Sequence, residues 1–304
     1  MKSKAGNTIP IATTITEPGS TIDRVHHYYE ETLPDYFKYL SLEYHSGMHY
    51  GFFENDTCDR KQAVLKMNET LADAGAIKEG DNILDAGCGI GGSSIWLAEN
   101  RNTTGTGVTI QQAQCDHANA DAANRGLGNR LNFIVADYCD TGLPAESFDV
   151  VWANESLCHT DNKTGFIAEA WRLLKPGGRL VIGDGFVKNL PRNRWERCLW
   201  KWWMEGWVIF LDPLDQFIME TTTAGFRSIK TRDISMNIAP YAKYLFRAAL
   251  GIVPLAILLS PFGVYSPTRI KNGIGTLAHL PALRKELWHY VIYTAQKPAD
   301  TTNH

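Results

Sequence analysis

The segment Asn82-Ile83-Leu84-Asp85-Ala86-Gly87-Cys88-Gly89-Ile90-Gly91-Gly92 constrains the fold of this chain more than any other stretch. A short apolar run passes into a glycine-rich turn and then into a helical pattern. Glycine reaches backbone conformations with positive φ and lets a ligand approach the main chain closely. The helix that follows offers unpaired N–H groups at its N-terminus, which suit an anion. Such a unit belongs at the carboxyl edge of a parallel sheet, where ligands bind.

The rest of the chain repeats this rhythm. Residues 105–110, 131–135, 148–153 and 179–182 read as strands. Residues 59–76, 92–100, 111–125 and 162–174 read as helices, the first and third closed near Gly75 and Gly126. Strands alternating with helices of 10–15 residues imply a parallel sheet with right-handed crossovers. Beyond residue 185 the pattern changes to a Trp-rich helical stretch at 191–210 and a helix at 213–224. A strand near 226–233, an apolar Pro/Gly-punctuated region at 240–285 and an alternating strand from Trp288 to Ala295 follow. The expected organisation is a disordered tail at 1–22, a helical cap at 23–76 that stays helical to about Tyr50, and a binding core at 77–185. Lid insertions at 186–285 and a final sheet strand at 286–297 complete it. The chain forms one doubly wound sheet with a helical insertion between its last two strands.

Gly87, Gly89 and Gly92 satisfy G-x-G-x-x-G, so a dinucleotide is one reading. That fingerprint wants an acid about 20 residues on, at the end of the second strand. Here the strand closes Thr106-Gly107-Val108-Thr109-Ile110, with no acid nearby, and Asp85 precedes the first glycine. A glycine turn with no ligand is the bland alternative. Other matches follow in order. They are Ala136-Asp137-Tyr138 after the third strand, Phe148-Asp149-Val150-Val151-Trp152 as the fourth, and Leu174-Lys175-Pro176-Gly177-Gly178-Arg179-Leu180 before the fifth. Together they resemble the class I S-adenosylmethionine-dependent methyltransferases over about residues 45–295. The resemblance implies an α/β, Rossmann-like seven-stranded sheet with helices on both faces and a helical lid.

It also implies a cofactor, S-adenosyl-L-methionine, and residues to hold it. The backbone of Gly87, Cys88 and Gly89 lines the methionine part, Asp85 orders the loop, and Asp137, with Tyr138 beside it, bonds the adenine amino group. The stretch Gly107-Val108-Thr109-Ile110-Gln111-Gln112-Ala113-Gln114 looks like the segment of tocopherol, cyclopropane and prenyl-diphosphate methyltransferases in which Thr and Gln replace the ribose acid. Thr109, Ile110 and Gln114 are therefore cofactor candidates, and Gln111 stands where that group has Ser. Asn154, at the end of the fourth strand, is another.

Trp152-Ala153-Asn154-Glu155-Ser156-Leu157-Cys158-His159 ends the fourth strand facing the cofactor. A carboxylate there is partly desolvated and costly, so it should have a purpose. The stretch resembles the glutamate segment of the sterol, tocopherol and prenyl-diphosphate C-methyltransferases, where methyl transfer to an alkene leaves a cation. By that resemblance Glu155 stabilises the charge; bonding to loop backbone is its plain alternative. His159 is either a base or a packing residue. Met48-His49-Tyr50-Gly51-Phe52 looks like the Met-His-His-Gly-Phe segment of tocopherol methyltransferases, which implies that Tyr50 contacts the sulfonium or its carboxylate.

Five of nine tryptophans fall between Trp195 and Trp207, where the family forms a lid. Trp200, Trp203 and Trp207 share a helical face, and Trp202 points elsewhere. The uncharged run from Ala248 to Leu259, interrupted at Pro254, reads as a buried lid helix or as a greasy wall touching a membrane surface through 248–264. The prolines argue against a spanning helix. Lid and run together suggest a lipophilic small-molecule acceptor, C-methylated as an isoprenoid; an amine, alkaloid or phenol methylated on N or O is the rival. A prenyl diphosphate would need a basic pocket, for which Arg192, Arg194, Arg197 and Lys201, or Arg24, His26 and His27, are at hand. The net charge of −3 over 304 residues gives no basis for nucleic-acid binding. The six cysteines lack zinc spacing and suit a reducing compartment. No metal site is expected. The N-terminus lacks an apolar signal core, so a cytoplasmic, membrane-peripheral location is expected, with homo-oligomerisation left open.

Overall fold

A computed structural model of the chain describes residues 19–40, 47–54 and 59–299. Most of the tail, the linker after the first helix and Cys58 lie outside the described residues. The first helix, α1 (Thr21–Leu40), starts two residues inside the span read as tail. It is followed by α2 (Arg60–Ala74), β1 (Asn82–Ala86), α3 (Gly92–Arg101), β2 (Thr104–Thr109), α4 (Gln112–Asn124), β3 (Leu131–Val135) and β4 (Phe148–Asn154). Then come α5 (Lys163–Leu173), β5 (Leu174–Val187), α6 (Arg194–Trp207), α7 (Leu214–Thr223), β6 (Arg227–Asp233), α8 (Ser235–Leu259), α9 (Pro267–Arg284) and β7 (Trp288–Gln296).

The strands form one seven-stranded sheet in the order β3-β2-β1-β4-β5-β7-β6. β7 runs antiparallel to both β5 and β6; the other pairs are parallel. Alternate side chains of β4 enter opposite layers, as strand geometry requires. Val150 and Trp152 pack with α2 and the lid, while Val151 and Ala153 pack with α5 and α7. The chain order reverses between β1 and β4, so the carboxyl ends of these two strands open a crevice.

Three expectations are corrected. The helical reading to about Tyr50 does not hold at residues 47–50, which lie outside any helix. β5 continues five residues past Ile182, because its antiparallel pairing with β7 runs unbroken from Arg179 to Val187. Pro254 does not end the apolar run: α8 is continuous across it. A proline frees the carbonyl four residues earlier. Pro254 and Leu250 are both exposed, so that carbonyl lies on the open side of the helix.

The lid is built from α1, α6, α8 and α9. Gly206 and Gly275 let α6 and α9 touch at the backbone; a Cβ on Gly206 would lie 2.5 Å from the Lys271 carbonyl oxygen. The Tyr28 hydroxyl donates to Asn272 Oδ1 at 3.1 Å, tying α1 to α9.

Candidate active site

The glycine turn after β1 is held open by backbone shape. Gly87, Gly89 and Gly91 have φ of 85°, 53° and 86°. A Cβ on Gly87 would sit 2.4 Å from that of Ser156, so only glycine fits. Buried Asp85 accepts a 2.6 Å bond from the Ser94 hydroxyl, which joins β1 to α3. Burial raises its carboxyl to about 6, against the opposing pull of Ser94. Beside the turn, the Thr109 hydroxyl donates to Gln114 Oε1 at 2.7 Å. Gln111 turns away, its side-chain amide bonded to the His26 carbonyl on α1.

These groups border one cavity. Asp85, Gly87, Cys88, Gly89, Thr109, Ile110, Gln114, Asp137, Tyr138 and Asn154, all the cofactor candidates read from the sequence, line it. A second, inner cavity lies under the lid. Glu155, His159, Tyr29, Met48 and His49 border both.

Glu155 sits at this junction in a left-handed conformation, φ 56°, rare for a non-glycine residue and a recurrent mark of functional sites. Its Oε1 accepts from the Tyr50 backbone N–H at 2.6 Å and from the Tyr290 hydroxyl at 2.9 Å. Oε2 has no donor among the described residues. Burial pushes this carboxyl well above the usual carboxylate range; the Tyr50 N–H and Tyr290 hydroxyl oppose the shift, and nearby Asp184 adds to it.

His159 Nδ1 lies 3.0 Å from the Val208 carbonyl oxygen, so Nδ1 carries the proton. Its Nε2 then accepts from the Tyr29 hydroxyl at 2.9 Å. Burial lowers this imidazole to about 4, leaving it neutral at physiological pH. Tyr50 lines the inner cavity, while Met48 and His49 of the same segment border both cavities.

The tryptophans divide. Trp203 and Trp207 line the inner cavity, joined by Trp288 from β7, whose ring lies 4.6 Å from that of Trp203. Trp200 is buried behind them. Trp195 and Trp202 are 55% and 43% exposed, as the helical spacing predicts for Trp202. None of the seven basic side chains considered for a diphosphate lines the inner cavity.

Among the residues of this site that were not anticipated are Tyr29, Asp184 and Tyr290. Tyr29 lies on the aromatic helix α1. Asp184, raised by burial to about 6, accepts from the Gly185 and Cys158 N–H groups at the extended end of β5. An acid between two glycines at a strand's carboxyl end was its available signal. Tyr290 carried no signal beyond strand alternation.

A glycine cradle at the carboxyl end of β1, a Thr–Gln pair after β2, and a junction carboxylate leading to a second, apolar chamber define a class I S-adenosylmethionine-dependent methyltransferase. The first cavity fits that cofactor on the chain's own donors: Gln114 Nε2 and Asn154 Nδ2 are buried on its wall without hydrogen-bond partners among the described residues. A family model described as a methyltransferase domain matches residues 84–182. Over 275 residues the chain is 30% identical to tocopherol O-methyltransferase, chloroplastic, of Arabidopsis thaliana, covering 83% of this chain and 76% of that one. The chain belongs to this methyltransferase family. Among solved structures, the [4+2]-cyclase SpnF superposes with a TM-score of 0.74 at 24% identity, covering 90% of this chain and 95% of that one. Geranyl diphosphate C-methyltransferase from Streptomyces coelicolor superposes with a TM-score of 0.69 at 19% identity, covering 92% and 98%. These two likenesses concern the fold.

Proposed function

We propose that this methyltransferase acts on an uncharged, lipophilic acceptor, an isoprenoid-type alkene, and adds the methyl group to carbon through a cationic intermediate. The observation that carries this reading is the charge of the inner cavity. Among the described residues its walls hold Asp35, Glu155 and Asp184 against one cation, Arg269. That arginine is already committed to Asp35, with Nε donating to Oδ2 at 2.7 Å. A diphosphate there would be desolvated beside carboxylates without matching cations, which is strongly unfavourable.

When bound, S-adenosylmethionine supplies an electrophilic methyl group. The chain supplies the surroundings. Glu155 lies where charge develops on the acceptor, and its carboxylate stabilises that charge in a site removed from bulk water. The Tyr50 ring packs within 6.0 Å of Tyr290 and 5.8 Å of Tyr241, centroid to centroid. With Trp203, Trp207 and Trp288 these rings offer π faces to a cation, worth about 0.5–2 kcal/mol per contact. Loss of a proton from the methylated acceptor to Glu155 Oε2 would restore an alkene; the raised affinity of that carboxylate for a proton favours the step. His159 has its acceptor lone pair occupied by Tyr29, so it acts through that hydroxyl by holding it at the junction.

A second reading is N-methylation of an amine, favoured by the same acidic, aromatic lining. The test is label transfer from methyl-labelled S-adenosylmethionine to neutral isoprenoid lipids, to geranyl diphosphate and to lipophilic amines in parallel. Label in the neutral lipids is expected. Comparable transfer to geranyl diphosphate would overturn the reading, and transfer confined to amines would favour the second.

A further inference from the structure

The helix α8 is apolar on two opposite faces. Leu245, Ala249, Ile252, Val253 and Ala256 line the inner cavity. About half a turn away, Leu250, Leu255, Ile257 and Leu258 are at least half exposed, and the apolar surface continues through Phe262 (78%) and Val264. Of the most apolar 18-residue stretch within Ser235–Phe262, only 17% is buried, at a mean hydropathy of 1.9. A helix apolar on all sides needs an apolar medium on all sides.

The charge around this surface is one-sided. From Ile234 to Lys285 there is no Asp or Glu, while Lys243, Arg247, Lys271, Arg284 and Lys285 are cationic; the charge of Arg269 is offset by Asp35. This concentration of positive charge stands in a chain whose net charge is −3. The open apolar part of the helix, Leu250 to Leu259, spans roughly 15 Å at 1.5 Å per residue, half of the ~30 Å hydrocarbon core of a bilayer. The whole helix is long and apolar enough to cross a bilayer, but one face is committed to the cavity wall, which favours an interfacial seat over a span. A second copy of this chain would bring two cationic surfaces together, whereas an anionic leaflet complements them.

We propose that the tip from Leu250 to Val264 docks into the headgroup–acyl boundary of an anionic lipid bilayer. The inner cavity, whose wall is the opposite face of the same helix, is thereby held against the leaflet. In combination with the lipophilic acceptor proposed above, the enzyme meets its acceptor where that acceptor is dissolved.

The test needs neither acceptor nor cofactor, so it succeeds or fails independently of the reaction assigned. Full-length protein is mixed with vesicles of phosphatidylcholine alone or with one-third phosphatidylglycerol, and binding is read by flotation. Binding to the anionic vesicles is expected, weakened at least ~10-fold by Leu258→Ser with Phe262→Ser and weakened by added salt. Both positions are exposed, and retained S-adenosylhomocysteine binding verifies that the variant is folded. In Phe262→Trp, with brominated phospholipid, the fluorescence attributable to the new indole should be quenched. Absence of wild-type flotation, or equal flotation of the serine variant, would overturn the proposal. So would a dimer in sedimentation velocity that the serine changes dissociate while vesicles bind neither form.

Discussion

Replacing Glu155 by Gln isolates the negative charge at the junction of the two cavities. The amide retains an oxygen able to accept from the Tyr50 N–H and the Tyr290 hydroxyl, the two bonds that fix Oε1 at 2.6 and 2.9 Å. Local structure should persist while the charge is lost. Opposite unit charges about 4 Å apart attract by about 4 kcal/mol at an effective dielectric of 20. If roughly two-thirds of that is realised only as the cation forms, kcat falls by about 100-fold, in line with losses of preorganised electrostatic groups elsewhere. Affinity for S-adenosylhomocysteine, measured by calorimetry, should change by no more than about two-fold, because an interaction used only in the transition state leaves ground-state binding alone. The pH profile adds a second check. Burial raises the Glu155 carboxyl, so its ionised form is gained only above the usual carboxylate range. Wild-type kcat should therefore climb with pH through that region, and the Gln variant should lack the limb. Near-normal turnover with an unchanged pH profile would refute the assignment.

Gly87→Ala must place a Cβ 2.4 Å from that of Ser156 at φ 85°, so cofactor affinity by calorimetry should fall at least ~10-fold; unaltered affinity would remove the turn's shape from the account. In urea titrations, Trp203→Ala, at a site 2% exposed, should cost about 3–5 kcal/mol. Trp202→Ala, from the open side of the same helix, should stay within about 0.5 kcal/mol; equal losses would contradict the division of the cluster. Burial lowers His279 to about 4, below its unfolded value of about 6.5. The native state thus binds fewer protons, and the stability this histidine contributes is present above about pH 6.5 and lost as pH falls toward 4. His279→Gln should lose less Tm than wild type between about pH 6.5 and 4.5, and a steeper loss would oppose this sign.

The cofactor side was legible in the sequence because its signals are local. A strand, a glycine turn and a helix lie within eleven residues from Asn82 to Gly92, and Thr109 bonds Gln114 only five positions on. The acceptor side depends on register between distant segments. Tyr290 reaches Glu155 across 135 residues, because antiparallel β7 sets Tyr290 opposite Gly185 and lengthens β5 to bring Asp184 to the same edge. Helical spacing grouped Trp200, Trp203 and Trp207 on one face. It carried no information on which rings meet the cavity and which pack behind it, since that depends on the crossing of α6 and α9 at Gly206 and Gly275. Pro254 misled for a related reason: a proline is better tolerated in a helix where the freed carbonyl can reach solvent, and exposure is a tertiary property.

The most direct test of the central claim is the position of the transferred methyl group. Purified protein, ¹³C-methyl-labelled S-adenosylmethionine and a neutral isoprenoid lipid extract are incubated together, and the product is examined by NMR. The account predicts label in the organic phase, on carbon, adjacent to a restored alkene. A methyl group on oxygen or nitrogen, or label carried into the aqueous phase on a diphosphate, would contradict it.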